Sequence, residues 1–185
     1  MTQLAVSAIG RDRPGIVAAV AEILLEHGAN VEDSQMTILR GHFTMTLIVT
    51  LGDSARTESL RRGLDGVRER LGLEALAVSQ VEEIEAGGPE PSHIVTVYGV
   101  DHPGIVNAVA AALAGADVNI TDLNTRLVSD DPRENGDGAE DLYAMMLEVA
   151  LPPGLSASAL QTLLEATRRD QDVEVTIREL ESDEL

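Results

Sequence analysis

Residues 10–17 read GRDRPGIV, and residues 99–106 read GVDHPGIV. The same offset of 89 places Asn30-Val31-Glu32-Asp33 over Asn119-Ile120-Thr121-Asp122. Two matches at one offset mark an internal repeat, so a module of roughly 85 residues occurs twice. After an extra stretch at 129–139, similarity resumes with Phe43, Met45 and Leu51 over Tyr143, Met145 and Leu151. The expected organisation is a first domain over 1–85, a linker over 86–91 (AGGPEP) and a second domain over 92–185 that carries the acidic insertion. Gly and Pro punctuate the linker rather than continue regular structure.

Each copy predicts the same order of elements. Gln3–Gly10 alternates with Leu4, Val6 and Ala8 on one face, and His93–Gly99 does so with Val95 and Val97, the period of a half-buried strand. A helix follows over Pro14–His27, where Ile16, Val20, Ile23 and Leu24 form one stripe, and Ile105, Val109, Ala112 and Leu113 repeat it. Two strands come next, Asn30–Leu39 with Phe43–Leu51 and Asn119–Val128 with Leu142–Leu151. Arg40-Gly41-His42 makes a tight hairpin in the first copy. A second helix is carried by Leu60, Leu64, Val67 and Leu71, and in the other copy by Leu160, Leu163, Leu164 and Thr167. Strands over Ala75–Ile84 and Val173–Leu180 close the units. The order βαββαβ is an α+β, ferredoxin-like arrangement, with two helices over one face of a four-stranded antiparallel sheet. That order alone fixes no function.

Composition removes several classes of activity. The 185 residues contain no Cys, which excludes disulfides, thiolate metal sites and a cysteine nucleophile. Thirteen Arg and no Lys face 32 Asp and Glu, a formal charge of −19, and such a field repels phosphate backbones. Direct nucleic-acid binding is therefore not expected. Residues 1–88 carry −5 of that charge and residues 89–185 carry −14, so the copies are not equivalent. No apolar run approaches the roughly 20 residues of a membrane span, and MTQLAVSAIGRDRPG has no secretory pattern, so a cytoplasmic protein without membrane contact is expected.

Catalytic patterns are missing: no G-x-S-x-G, no phosphate-binding G-x-x-x-x-G-K-[ST], no G-x-G-x-x-G and no H-E-x-x-H. His27, His42, His93 and His102 fall on unrelated elements, so neither a metal site nor a cofactor is expected. The insertion SDDPRENGDGA offers Asp131, Asn135 and Gly136 at calcium-loop spacing, but Arg133 and Leu142 occupy two ligand positions. A solvated loop is the simpler reading.

What remains is the repeated junction of first strand and first helix, together with the start of the second strand. Pro14 and Pro103 suit the first helical position. The caps would then be Arg13 and His102, neither a favoured acceptor, leaving the N–H groups of Gly15, Ile16, Val17 and of Gly104, Ile105, Val106 open to a carboxylate. The competing reading has Asp12 or Asp101 folding back to cap the helix. Asn30 and Asn119 offer donors and an acceptor to a zwitterion, and Asp33 and Asp122 suit its ammonium. Equally, the Asn residues suit a turn before a strand.

The D-x-P-G-I-V loop opening a helix, followed by G-A-N-V-E-D or D-V-N-I-T-D inside βαββαβ, resembles the ACT domain. Two such modules filling the chain resemble the glycine cleavage system transcriptional repressor group of stand-alone double-ACT regulators. The resemblance implies regulatory modules that bind a small amino acid, usually where sheets of two domains pair side by side. It assigns ligand binding to Asp12, Arg13, Pro14, Gly15, Ile16 and Val17 with Asn30, Val31 and Glu32. In the second copy it assigns Asp101, His102, Pro103, Gly104, Ile105 and Val106 with Asn119, Ile120 and Thr121. It also implies a homodimer that touches through a mixed face of small side chains.

Three functions compete on this reading. The first is a non-enzymatic sensor that binds a small amino acid and modulates a protein partner such as a transcription factor. The second is a protein–protein adaptor or dimerisation module with vestigial ligand sites. The third, an enzyme, would rest on Asp12, Asp101 and His102, which no nucleophile or metal group accompanies.

Overall fold

The computed structural model describes residues 2–52, 56–81, 88–128 and 141–180. The chain divides into two compact units, Met1–Glu85 and Ala86–Leu185. The acidic insertion with its calcium-loop candidates, and the last residues of the strand expected to reach Ile84, lie outside the described residues.

Unit 1 runs β1 (Thr2–Arg11), α1 (Ile16–Glu26), β2 (Ala29–Leu39), β3 (His42–Leu51), α2 (Thr57–Leu71) and β4 (Ala75–Gln80). Unit 2 repeats the order as β5 (His93–Val100), α3 (Ile105–Ala114), β6 (Asn119–Val128), β7 (Leu142–Ala150), α4 (Ala157–Asp170) and β8 (Val173–Glu179). The sheets are ordered β2-β3-β1-β4 and β6-β7-β5-β8, every neighbouring pair antiparallel. Two βαββαβ units of α+β type follow from the alternation and the helical stripes read in the sequence.

Burial follows the period of each element. Leu4, Val6 and Ala8 on β1, with Phe43, Met45, Leu47, Val49 and Leu51 on β3, pack beneath Ile16, Val20 and Leu24 of α1 and Leu60, Leu64 and Val67 of α2. The second core repeats this with Val95, Val97, Tyr143, Met145, Leu147 and Val149 beneath Ile105, Val109, Leu113, Leu160 and Leu164. Each fully buried Val, Leu, Ile, Phe or Met side chain contributes about 1.5–3 kcal/mol, so cores with one aromatic ring each suffice. Met45 and Met145 belong to these cores, whereas Met36 and Met146 are exposed.

Two glycines let elements approach closely. A Cβ on Gly10 would meet Leu73 Cδ2 at 2.8 Å and its Cα at 3.2 Å; on Gly99 it would meet Val173 Cγ1 at 2.8 Å and the Asp172 carbonyl at 3.3 Å. The first strand of each unit thus grazes the backbone that leads into the last. The β2–β3 hairpin turns on Arg40 (φ 49°) and Gly41 (φ 81°), the double left-handed pair that matches strand twist. Of the described helices, α4 opens with a side-chain cap, Ser156 Oγ accepting from the Ala159 N–H at 3.3 Å.

Candidate functional site

The chain must leave β1 and lay α1 back across the sheet, and this reversal needs a residue with positive φ. Gly15 supplies it at φ 97° and Gly104 at φ 113°, and each is the N-cap of its helix. Their carbonyls accept from Ala19 and Ala108 at 2.9 Å, which fixes Ile16 and Ile105 as the first helical residues. The helices therefore begin two residues later than the prolines suggested. Pro14 and Pro103 precede the cap, and Arg13 and His102 are not cap residues. Among the described residues no side chain caps either helix, so Asp12 and Asp101 do not fold back. The N–H groups left outside the helical ladder are those of Ile16, Val17 and Ala18, and of Ile105, Val106 and Asn107. They carry the positive end of the helix dipole, which favours an anion.

The loop side chains divide by burial. Ile16 and Ile105 are buried in the cores, so only their backbone can face a ligand, while Val17 and Val106 stand exposed. The basic side chain in each loop turns toward the end of the second helix. His102 Nε2 donates to the Gln171 carbonyl at 2.9 Å, and its Nδ1 lies 3.2 Å from the Pro103 carbonyl. Arg13 Nη2 lies 3.3 Å from where a Cβ on Gly72 would stand, and Gly72 caps α2. Two carbonyl acceptors, Gln171 first, favour the imidazolium and raise the His102 pKa, with Asp101 and Asp172 adding to the effect and desolvation opposing it.

The second half of the candidate sits on a β-bulge. Register jumps from Val31 to Asp33 against β3, and from Ile120 to Asp122 against β7, leaving Glu32 and Thr121 unpaired at equivalent positions. Glu32 is pinned by hydrogen bonds from the Thr50 hydroxyl and, at 2.9 Å, from Gln3 Nε2. Those donors, Thr50 first, hold its carboxyl below the usual carboxylate range. Thr121 Oγ1 donates to the Glu148 carbonyl at 3.1 Å. Asp33 and Asp122 each engage an oxygen locally, accepting from the Ser34 N–H and from Asn124 Nδ2. Asn30, Asn119 and Val31 are exposed, and Ile120 is half-buried.

Within a unit the two halves do not meet. The Asp12 N–H donates to the Gly41 carbonyl at the hairpin end of the sheet, while Asn30 pairs with Thr50, opposite Gln3 at the far end. The stretch of β1 from Gln3 to Asp12 spans roughly 30 Å at 3.3 Å per residue. The sequence expectation grouped loop and strand start as one site, and a single unit separates them.

Around the second loop the structure forms a cavity of about 590 Å³ lined by Asp101, His102, Gly104, Val106, Ala110 and Tyr143 among others. Tyr143 was not singled out as a site residue. Its signal in the sequence was the Tyr that stands where the first copy has Phe43. Among the described residues no three His, Asp or Glu side chains converge as metal ligands, and no helix is long and apolar enough to cross a membrane.

Comparison with known proteins gives a consistent family. The ACT domain profile matches residues 2–77 and 93–130. UPF0237 protein MK1213 of Methanopyrus kandleri is 42% identical over 77 residues, covering 41% of this chain and 86% of that protein. Phosphoserine phosphatase SerB2 of Mycobacterium tuberculosis is 26% identical over 176 residues, and the chain spans 94% of itself but 40% of that enzyme. Among solved structures, an unknown protein from Galdieria sulphuraria matches with a TM-score of 0.79 at 27% identity, covering 97% of this chain and 98% of that one. A structure bearing the name glycine cleavage system transcriptional repressor matches with a TM-score of 0.72 at 17% identity, covering 97% of each chain, a likeness of fold.

Proposed function

The chain belongs to the ACT-domain family, and from that premise we propose that it is a non-enzymatic regulatory protein that binds a small amino acid. The observation that carries this reading is the twice-repeated helix start, opened by a left-handed glycine and left without a side-chain cap. Free N–H groups and a helix dipole there suit the ligand's carboxylate. The roughly 30 Å between loop and bulge supports a composite site, in which the loop of one ACT module meets the strand start of another across an interface. The polar strand starts at Asn30 and Asn119 then face the ammonium. A homodimer provides such interfaces, and the sheet edges β2 and β6, paired on one side only, are open to it. Val31, Met36 and Ile38 on β2 add exposed apolar area there.

The effect of binding passes to a protein partner such as a transcription factor, in control of amino-acid metabolism. A net charge of −19 makes direct DNA contact unfavourable, so regulation of that kind runs through a protein. The phosphatase activity in the name of the Mycobacterium tuberculosis relative is not carried over, because this chain spans 40% of that enzyme. Calorimetric titration of the purified chain with each of the twenty amino acids tests the reading. Saturable heat from one or two of them supports it. Silence from all twenty removes it and leaves the adaptor, which the exposed apolar residues of β2 favour.

A further inference from the structure

Unit 1 joins its two helices through a pair of side chains that unit 2 lacks. His27 ends α1 as its C-cap, and Ser59 stands in the first turn of α2. The imidazole Nε2 lies 3.0 Å from Ser59 Oγ, and Nδ1 lies 2.8 Å from the Ile23 carbonyl oxygen. A carbonyl can only accept, so in the neutral ring the proton sits on Nδ1, and Nε2 is left to accept from the Ser59 hydroxyl. A hydroxyl, a base within reach and a third group that orients the base make the arrangement of an activated nucleophile. His27 is half-buried, whereas Ser59 is exposed and open to a small reagent.

The two copies differ here at several positions in concert. The offset of 100 that aligns Leu60 and Leu64 with the equally buried Leu160 and Leu164 places Ser59 over Ala159 and Arg56 over Ser156. At the repeat offset of 89, His27 falls on Ala116. Base and hydroxyl are thus absent together from unit 2. The room for the ring changes in step: a Cβ on Gly63 would stand 3.4 Å from His27 Cε1 and 2.8 Å from Ile23 Cγ2, and the equivalent residue is Leu163. The helix starts differ too. Ser156 caps α4 by accepting from the Ala159 N–H, while among the described residues no side chain caps α2. The Ser59 side chain leans toward the start of α2, at the positive end of its dipole, which favours negative charge developing on the oxygen.

We propose that Ser59 is a nucleophile activated by His27, a covalent modification site at which unit 1 takes up the acyl group of an activated carboxylic ester. Ser59 Oγ forms a bond to the carbonyl carbon of the ester as its hydroxyl proton passes to His27 Nε2. The bond from that carbon to the leaving oxygen then breaks, and the oxygen departs with the proton from Nε2. The chain keeps an O-acyl serine, the donor becomes an alcohol or phenol, and nothing is oxidised or reduced. A positioned base contributes about 10²–10⁴-fold to such a step. Unit 2, with alanine at both places, has no such site. An acylated Oγ no longer donates to Nε2, so the modification also removes the tie between α1 and α2. The site stands apart from amino-acid binding and does not depend on it.

The chain has no Cys and no Lys, so competition for an acyl donor comes from the amino terminus, the other hydroxyls and the imidazoles. The experiment treats the full chain, as wild type, Ser59→Ala and His27→Gln, with p-nitrophenyl acetate. It follows release of p-nitrophenolate and locates the acetyl group by peptide mass spectrometry. The proposal expects a burst of about one equivalent per chain with the acetyl group on Ser59. It expects the burst to vanish in Ser59→Ala and acetylation of Ser59 to slow about a hundredfold in His27→Gln. Ser59→Ala installs the residue of unit 2, and His27→Gln keeps the serine while His42, His93 and His102 supply the same background. Wild type without acetyl on Ser59, a burst unchanged in Ser59→Ala, or a Ser59 rate within about twofold of wild type in His27→Gln each overturns the proposal and leaves the pair as a structural link between helices. Urea unfolding of both variants separates loss of reactivity from loss of the fold, and the wild-type labelling needs neither variant.

Discussion

His102 Nε2 donates to the carbonyl oxygen of Gln171 across 2.9 Å, joining the loop before α3 to the residue that caps the end of α4. Arg13 holds the equivalent place in unit 1 and lies against Gly72, the cap of α2. In both units a basic side chain from the first loop lies at the C-terminal end of the second helix, where the dipole is negative. These residues looked like ligand contacts in the sequence. In the structure His102 bonds the end of α4 and also lines the cavity at the start of α3.

The raised His102 pKa gives a pH dependence of definite sign. A histidine whose pKa is higher in the folded state contributes stability that is fully present below its unfolded value, about 6.5, and is lost as pH rises through the folded value. Wild type should therefore exceed His102→Gln in thermal stability by most at pH 5–6, with the difference shrinking above pH 7. Proton NMR should place the His102 midpoint above the ordinary imidazole value. A midpoint at or below that value would show that the two carbonyls do not hold the cation.

The fold was legible because its signals were local and duplicated. Alternation in Leu4, Val6 and Ala8, the stripe from Ile16 to Leu24 and the Arg40-Gly41 turn each name an element, and the second copy repeats most of them. The helix start was misplaced because Pro14-Gly15 supports two readings. Proline can open a helix, or glycine can cap it in a left-handed conformation, and only φ decides. The separation of the Asp12 loop from Asn30 was hidden for another reason: it follows from strand register, which a repeat offset does not encode. The burial of the Tyr143 hydroxyl was hidden because it is a property of its surroundings.

Gly10→Ala and Gly99→Ala test the close approach of first and last strands. An added methyl meets a movable Leu73 or Val173 side chain but also backbone atoms at 3.2–3.3 Å, so the start of β4 or β8 must shift. Overpacking of this kind costs about 1–3 kcal/mol. Thermal or urea unfolding should show each variant destabilised in that range. Wild-type stability in both would mean that the strand starts give way freely.

Gly15→Ala and Gly104→Ala isolate backbone strain from crowding, because an added methyl meets nothing within 4 Å at Gly15 and only Gln171 Oε1, at 3.5 Å, at Gly104. A left-handed L-residue costs about 1–2 kcal/mol, offset in part by the stiffer unfolded chain. A net loss of roughly 1 kcal/mol, seen as a few degrees in Tm, is expected for each. Valine there would be worse, since a β-branched residue at positive φ is an outlier. Alanine is the cleaner probe of ligand binding, because loss of affinity could then be separated from loss of the helix.

Tyr143→Phe and Phe43→Tyr should move stability in opposite directions in the absence of ligand. Among the described residues the buried Tyr143 hydroxyl has no partner in hydrogen-bonding geometry, and leaving such a group unsatisfied costs about 1–3 kcal/mol. Replacing it with Phe, the residue of the equivalent position, removes the penalty while keeping the ring, so unfolding in urea should show a gain of roughly 1 kcal/mol. Phe43→Tyr imports the hydroxyl into a closed core and should lose a similar amount or more. If Tyr143→Phe destabilises the chain instead, the hydroxyl already has a partner, the role Thr125 would fill.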